Sequence, residues 1–272
     1  MHGKMKQLST TDHIKSLRGR GSAVLKGFFM AVSQLTDFVL RFFKELFKPP
    51  YEFSEFAKQS YLIGNKSFLL VAITAFIMGL VLTIQSRPVL VEFGAESWLP
   101  SMVAVSIVRE IGPVITALIF AGKVGSGIGA ELASMRVTEQ IDAMEVSGIN
   151  PFKYIVVTRI LSTTLMLPLL VIFADAIAIY GSYFGVNLKE SVSFHLFFLQ
   201  VFQKLDFTDV FPAFIKTFFF GFSIGLIGCY IGYNANTGTE GVGKAANSAV
   251  VFGSLMVFLV DMIAVQITSL FT

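Results

Sequence analysis

The sequence holds one cysteine, three histidines and one tryptophan in 272 residues. A single thiol, Cys229, cannot close an intramolecular disulfide. The histidines, His2, His13 and His195, have no metal-ligand spacing, so thiol and metal chemistry are both disfavoured. Charge is equally scarce: Asp, Glu, Lys and Arg make up 14% of the chain, against roughly a quarter in an ordinary soluble domain. With hydrophobic residues at 54%, the composition excludes a soluble globular fold and predicts a membrane protein. No early apolar core with a cleavage site follows Met1, which predicts that no signal peptide is removed.

The charge that is present is unevenly spread. Residues 1–50 carry nine Lys/Arg against three Asp/Glu, while the remainder carries twelve against fifteen. A basic end of this kind suits a membrane surface better than a nucleic acid, and no nucleic-acid partner is expected. A bilayer core needs about 20 apolar residues per helix, and five segments approach that length: 68–84, 99–124, 160–180, 211–231 and 249–267. With the N-terminus in the cytoplasm, the inner segments hold 16 Lys/Arg and the outer ones 3. The positive-inside rule therefore places the N-terminus in the cytoplasm and, with five spans, the C-terminus outside. The expected fold is an all-α membrane protein in three parts: a basic segment 1–22, an interfacial helix with its connector 23–66, and a five-span domain 67–272.

The interfacial helix follows from spacing. Val24, Phe28, Val32, Leu35, Val39, Phe42 and Leu46 recur at three- and four-residue steps and make one apolar face, with Lys26, Arg41, Lys44 and Lys48 available to headgroups. A soluble helix packed on a partner would show the same pattern. Pro49 and Pro50 end it, because proline rejects a helix interior.

Between spans two and three, a helix is expected over 138–147. Thr138 can cap it, Glu139 and Asp142 suit its N-terminal dipole, and Gly148 with Pro151 ends it. Ile141, Met144 and Glu145 share a face, so the helix is expected to present a small mixed surface to a cytoplasmic partner or merely to link two spans. Further on, GTEGVGKA (238–245) fits a phosphate-binding loop in all but its eighth place. There Ala245 lacks the hydroxyl that would hold magnesium, so nucleotide binding on this chain is not expected.

Arg109, Glu110, Asp175 and Asp261 lie inside spans. Each costs about 2.5–3.5 kcal/mol at a bilayer centre unless protein or water surrounds it. Arg109 and Glu110 are chain neighbours, about 100° apart on a helix, and should engage different partners. Gly112 and Pro113 weaken the backbone ladder just beyond them, which points to a polar cavity at that level. Asp209 and Lys216 are seven apart in span four and reach the same level if that span packs on span two. A purely structural ion-pair network is the alternative, and for Asp175 and Asp261 it is the preferred one.

The run VREIGPVITALIFAGKVGSGIGAELASMRVTEQIDAMEVSGINP (108–151), with EGVGKA further on, resembles the signature of the MlaE family, permeases of MCE-type ABC lipid transporters. The resemblance implies a homodimer in the bacterial inner membrane, bound by two copies of a cytoplasmic ABC ATPase and by a periplasmic MCE-domain protein. A STAS-domain protein often accompanies the ATPase. It implies phospholipid as cargo, no cofactor on this chain, and ATP with Mg on the partner, so the chain itself is no enzyme. The helix near 138–148 then looks like a coupling helix, with Glu139, Ile141, Asp142, Met144, Glu145 and Gly148 as its contact residues. The family's lipid pocket maps onto Leu82, Val89, Leu90, Phe93, Arg109 and Glu110, while Asp175, Asp209, Lys216 and Asp261 make up the intramembrane polar network expected from the residues themselves. Phe93 stands where a well-known member has tyrosine. Two rival readings are an ion-coupled secondary transporter and a membrane anchor for an MCE ring without a path of its own.

Overall fold

The computed structural model describes residues 29–30, 32–189, 191–236 and 238–270. The basic segment 1–22 and the first two positions of the expected interfacial face, Val24 and Phe28, lie outside these. The chain divides into two units, 1–48 and 49–272. In the first, residues 32–46 are helical (α1). Along the predicted face, Val32 is exposed, Leu35 and Val39 are half-buried and Phe42 is buried, with the Phe42 and Phe43 rings edge to face at 5.2 Å.

The second unit is all helix and loop among its described residues. Five helices are long and apolar enough to cross a membrane. The first, α2 (Phe53–Glu92), has 40 residues, about 60 Å at helical rise, so it continues well past a hydrocarbon core of about 30 Å. Every expected span sits inside a longer helical stretch, because a helix does not stop where hydropathy does.

The second span, Glu96–Val137, is not one regular helix. It runs as a 3₁₀ turn (Glu96–Trp98), α3 (Leu99–Ser106), a π turn (Ile107–Ile111), α4 (Gly112–Phe120), a second π turn (Ala121–Gly125) and α5 (Ser126–Val137). The first π turn precedes Pro113, which has no N–H to give the preceding turn, and the Gly112 N–H reaches back five residues to the Ile107 carbonyl. The second falls in the glycine run that starts at Gly122. After α5 come a short helix α6 (Gln140–Val146), a third π turn (Phe152–Val157) following Pro151, and α7 (Thr158–Asn187).

The segment 181–210, read from sequence only as an outer connection, contains α8 (Phe194–Lys204), whose N-cap Ser193 accepts from the Leu196 N–H at 3.3 Å. Then follow α9 (Phe207–Tyr233) and α10 (Thr239–Ser269). The phosphate-loop look-alike lies largely in the opening turns of α10, and Lys244 is spent on Glu240 at 2.7 Å.

Small residues decide the packing. α2 lies along α7, and α9 packs on α7, α5 and α10. A Cβ on Gly79 would strike the Ala178 carbonyl, and one on Gly181 the Phe76 carbonyl. On α9, Gly221 and Gly225 face Thr163 of α7, while Gly228 and Gly232 face Gly125 and Gly129 of span two. These are the close backbone approaches that small-xxx-small spacing permits in lipid, where no hydrophobic force draws helices together.

Candidate functional site: a charged level in an apolar cavity

The first π turn carries Arg109 and Glu110. Widening the helix there turns the two side chains toward different neighbours. Glu110 Oε2 accepts from Lys216 Nζ of α9 at 2.7 Å, and the same ammonium reaches Asp261 Oδ1 of α10 at 3.0 Å. One cation thus ties three spans together. The Lys216 side chain is only 5% exposed, so this pairing is what makes its charge tolerable in an apolar bundle.

Arg109 is different. Its Nη1 stands 3.7 Å from Asp209 Oδ1, a looser contact, and its side chain is 48% exposed. Asp209 also works for the backbone: it is the third residue of α9 in a capping box with Asp206, whose N–H reaches Asp209 Oδ2 at 3.4 Å.

Beside these groups lies a cavity of about 760 Å³ between the N-terminal half of α9 and the C-terminal half of α10. Phe207, Phe211, Ile215, Phe219, Ile263 and Ile267 supply much of its wall, and Arg109, Glu110, Asp209 and Lys216 reach it as charged groups. The volume falls within the range of small-molecule sites. An apolar chamber with one charged level fits an amphiphile: a long apolar body with a polar end.

The structure therefore brings Arg109, Glu110, Asp209, Lys216 and Asp261 to one level, with Asp261 tied to the others through Lys216. The sequence favours an interhelical ion pair for Asp261 but names no partner for it. Its partner lay 45 positions earlier on another helix, which no local pattern displays. Asp175 sits on the other side of the π turn. Its Oδ1 occupies the space a Gly112 Cβ would take and has no hydrogen-bond partner among the described residues. It does not line the cavity.

Leu82, Val89, Leu90 and Phe93 stand apart from that cavity at the C-terminal end of α2. Leu82 and Leu90 pack partly buried on the core formed with α3 and α7, while Val89 and Phe93 are exposed.

The helix between spans two and three is present as α6, but not as drawn from sequence. Thr138 does not cap it. α5 runs on to Val137, so the Thr138 hydroxyl instead donates to the Ser134 carbonyl at 2.9 Å, and Glu139 makes the turn in the left-handed region at φ 59°. Ile141 is fully buried and serves as the anchor of α6 rather than as part of a presented surface. Met144 is half-buried, Glu145 exposed, and Asp142 is held by Arg136 at 2.6 Å. Val146, 91% exposed, is the apolar side chain that α6 offers. Gly148 takes φ 78° just beyond it.

Sequence reasoning also passed over a second buried cation. Arg159, 5% exposed, pairs with Glu131 at 2.8 Å and joins α7 to α5. Nearby, the Tyr154 hydroxyl reaches Glu55 at 3.2 Å. Neither pair leaves a local signature, since each joins residues distant in the chain.

The sequence is similar to those of known proteins. The sequence model of the family described as Permease MlaE matches residues 56–267. A probable ABC transporter permease protein of Rickettsia typhi is 38% identical over 214 residues, 79% of this chain and 83% of the relative. The intermembrane phospholipid transport system permease protein MlaE of Haemophilus influenzae is 34% identical over 212 residues, covering 77% of this chain and 81% of its own. A probable ABC transporter permease protein of Synechocystis is 36% identical over 208 residues, 74% and 77% of the two chains.

Proposed function

The chain belongs to the MlaE permease family, and from that premise we propose that it is the permease of an ATP-driven phospholipid transporter in the bacterial inner membrane. The observation that carries the reading is the cavity between α9 and α10, whose apolar walls suit acyl tails and whose single charged level suits a headgroup. Each buried methylene contributes about 0.8 kcal/mol. Tails held that way leave only when the cavity changes shape, so transport needs work from outside the chain.

On this reading two copies pair, with N-termini in the cytoplasm and C-termini in the periplasm. A cytoplasmic ABC ATPase, carrying ATP and Mg and in some assemblies a STAS-domain protein, docks on α6 through Glu139, Met144, Glu145 and Val146. Buried Ile141 passes the displacement of α6 to α5. The contact of Gly129 with Gly232 passes it to α9, and that with Ala245 and Ala249 to α10. Narrowing the cavity then favours the lipid-free shape and delivers lipid to, or draws it from, a periplasmic MCE-domain partner.

The test is Glu110→Ala and Glu110→Lys in proteoliposomes holding the assembled transporter. ATP-dependent lipid transfer is expected to fall with the complex intact; unchanged transfer would remove Glu110 from the path. The ion network across three spans favours one rival, an ion-coupled secondary transporter. That rival predicts gradient-driven transfer by this chain without any ATPase.

A further inference from the structure

We propose that the cavity selects a zwitterionic headgroup, one that carries an ammonium beside its phosphate. The inference rests on the cavity being the lipid path. It starts from which charges at the cavity are already spent. The Lys216 ammonium is buried and held by two carboxylates within hydrogen-bond distance, which take two of its three N–H donors and offset its charge. Arg109 is unspent. It makes no hydrogen bond among the described residues, and its one ion pair, to Asp209, is 3.7 Å long. Its guanidinium therefore offers a planar fork of N–H donors at the edge of an apolar chamber, the geometry that suits phosphate oxygens.

The neighbouring residue offers the opposite. Glu110 gives Oε2 to Lys216, while its Oε1 accepts nothing among the described residues, and the side chain is 39% exposed. Two cations, Arg109 and Lys216, thus face three carboxylates, Glu110, Asp209 and Asp261. The level carries a net single negative charge. A headgroup with phosphate alone adds a second negative charge to it. A headgroup with phosphate and ammonium adds none, and places its cation where Glu110 has an oxygen free. Because Arg109 and Glu110 are adjacent on one turn, both halves of such a headgroup meet a complement at one depth, while the tails lie along Phe211, Ile215 and Phe219.

The experiment uses the full chain in vesicles of equal phosphatidylethanolamine and phosphatidylglycerol. A photoreactive phenylalanine analogue replaces Phe219, in the cavity wall, or Phe252, exposed on α10 away from it. The ratio of ethanolamine to glycerol adducts is expected to be about threefold higher at position 219 than at 252, the size of one partly exposed ion pair. Glu110→Gln should bring the ratio down to that of position 252, and Glu110→Asp should keep the preference. Equal ratios at the two positions, or a preference that survives Glu110→Gln, overturn the inference. The two positions compared in the unaltered charge network decide the matter even where Glu110→Gln fails to fold. Adducts without preference remove the headgroup inference and leave the lipid path standing. No lipid adduct at position 219 removes the path itself and the inference with it.

Discussion

Two contacts between apolar helices in this chain have opposite characters. Along the seam of α2 and α7, Gly79 lies against the Ala178 carbonyl, Gly181 against the Phe76 carbonyl and Gly185 against Thr83, whose hydroxyl bonds Ser182 at 2.7 Å. Between the N-terminal half of α9 and the C-terminal half of α10, phenylalanines and isoleucines surround a space of about 760 Å³. Both regions are apolar. What separates them is side-chain size and the presence of charge: where glycines meet, backbones touch, and where phenylalanines, isoleucines and the Lys216 ion pairs stand between α9 and α10, a space remains. Lipid offers no drive to fill such a gap, because tails solvate leucine as well as a neighbouring helix does. A hollow there is stable as well as useful.

The comparison breaks first at the seam. Gly79→Leu would place a Cβ 2.6 Å from the Ala178 carbonyl carbon, with a branched side chain beyond it. Backbone cannot yield as a flexible side chain does, so the cost should exceed about 4 kcal/mol, the exceptional end for a point change. Little folded protein should survive detergent extraction, as read by size-exclusion profile and thermal melting. A Gly79→Leu chain with unchanged melting would show that the seam is not the rigid half.

On the hollow side the largest effect belongs to Lys216. Lys216→Met removes the cation and leaves Glu110 and Asp261 facing one another without a counter-charge, which should cost about 3 kcal/mol. Removing the carboxylates as well, with Glu110→Gln and Asp261→Asn, should recover most of the stability but not lipid transfer. A melting series over the single, double and triple variants measures this coupling.

A smaller effect is expected where the two regions touch. Asp175 projects from α7 into the notch at Gly112, beside the π turn that carries the charged pair. Gly112→Ala puts a methyl where that carboxylate lies, an overpacking worth about 2 kcal/mol. Asp175→Ala in the same chain should relieve it. If the two changes simply add, the notch is not a shared one.

How much of this could be read beforehand depends on the range of each signal. Hydropathy finds all five spans, since a run of apolar residues is local, but it cannot see a helix continue into water, and α2 is far longer than 68–84. The family is legible for the same reason: 108–151 is contiguous, and the family match runs over 56–267. Arg109 and Glu110 stand out as charges in an apolar run. The share of Lys216 in their network was reachable from its seven-residue spacing to Asp209. Asp261 could be given an ion-pair role but not a partner, because that partner is 45 positions away on another helix. The burial of Ile141 escaped as well: spacing finds a shared face but does not say which way the face points. Gly112 and Pro113 announced a weakened ladder, and the weakening takes the form of a π turn just before them.

The least effect on stability should come from Arg109, and this sharpens the comparison most. Its pair with Asp209 is 3.7 Å long and half-exposed, so Arg109→Gln should change stability by less than about 1 kcal/mol. Asp209 keeps its place through the Asp206 N–H, so the start of α9 should hold. Lipid transfer by the assembled transporter should nonetheless fall several-fold. The fork of donors is gone, and a glutamine amide offers a phosphate neither charge nor bidentate geometry. Set beside Lys216→Met, which should lose both stability and transfer, this variant separates the charge that ties three spans together from the charge that faces the cavity. If Arg109→Gln melts as early as Lys216→Met, the two cations share one structural task, and the working side of the cavity must be sought elsewhere.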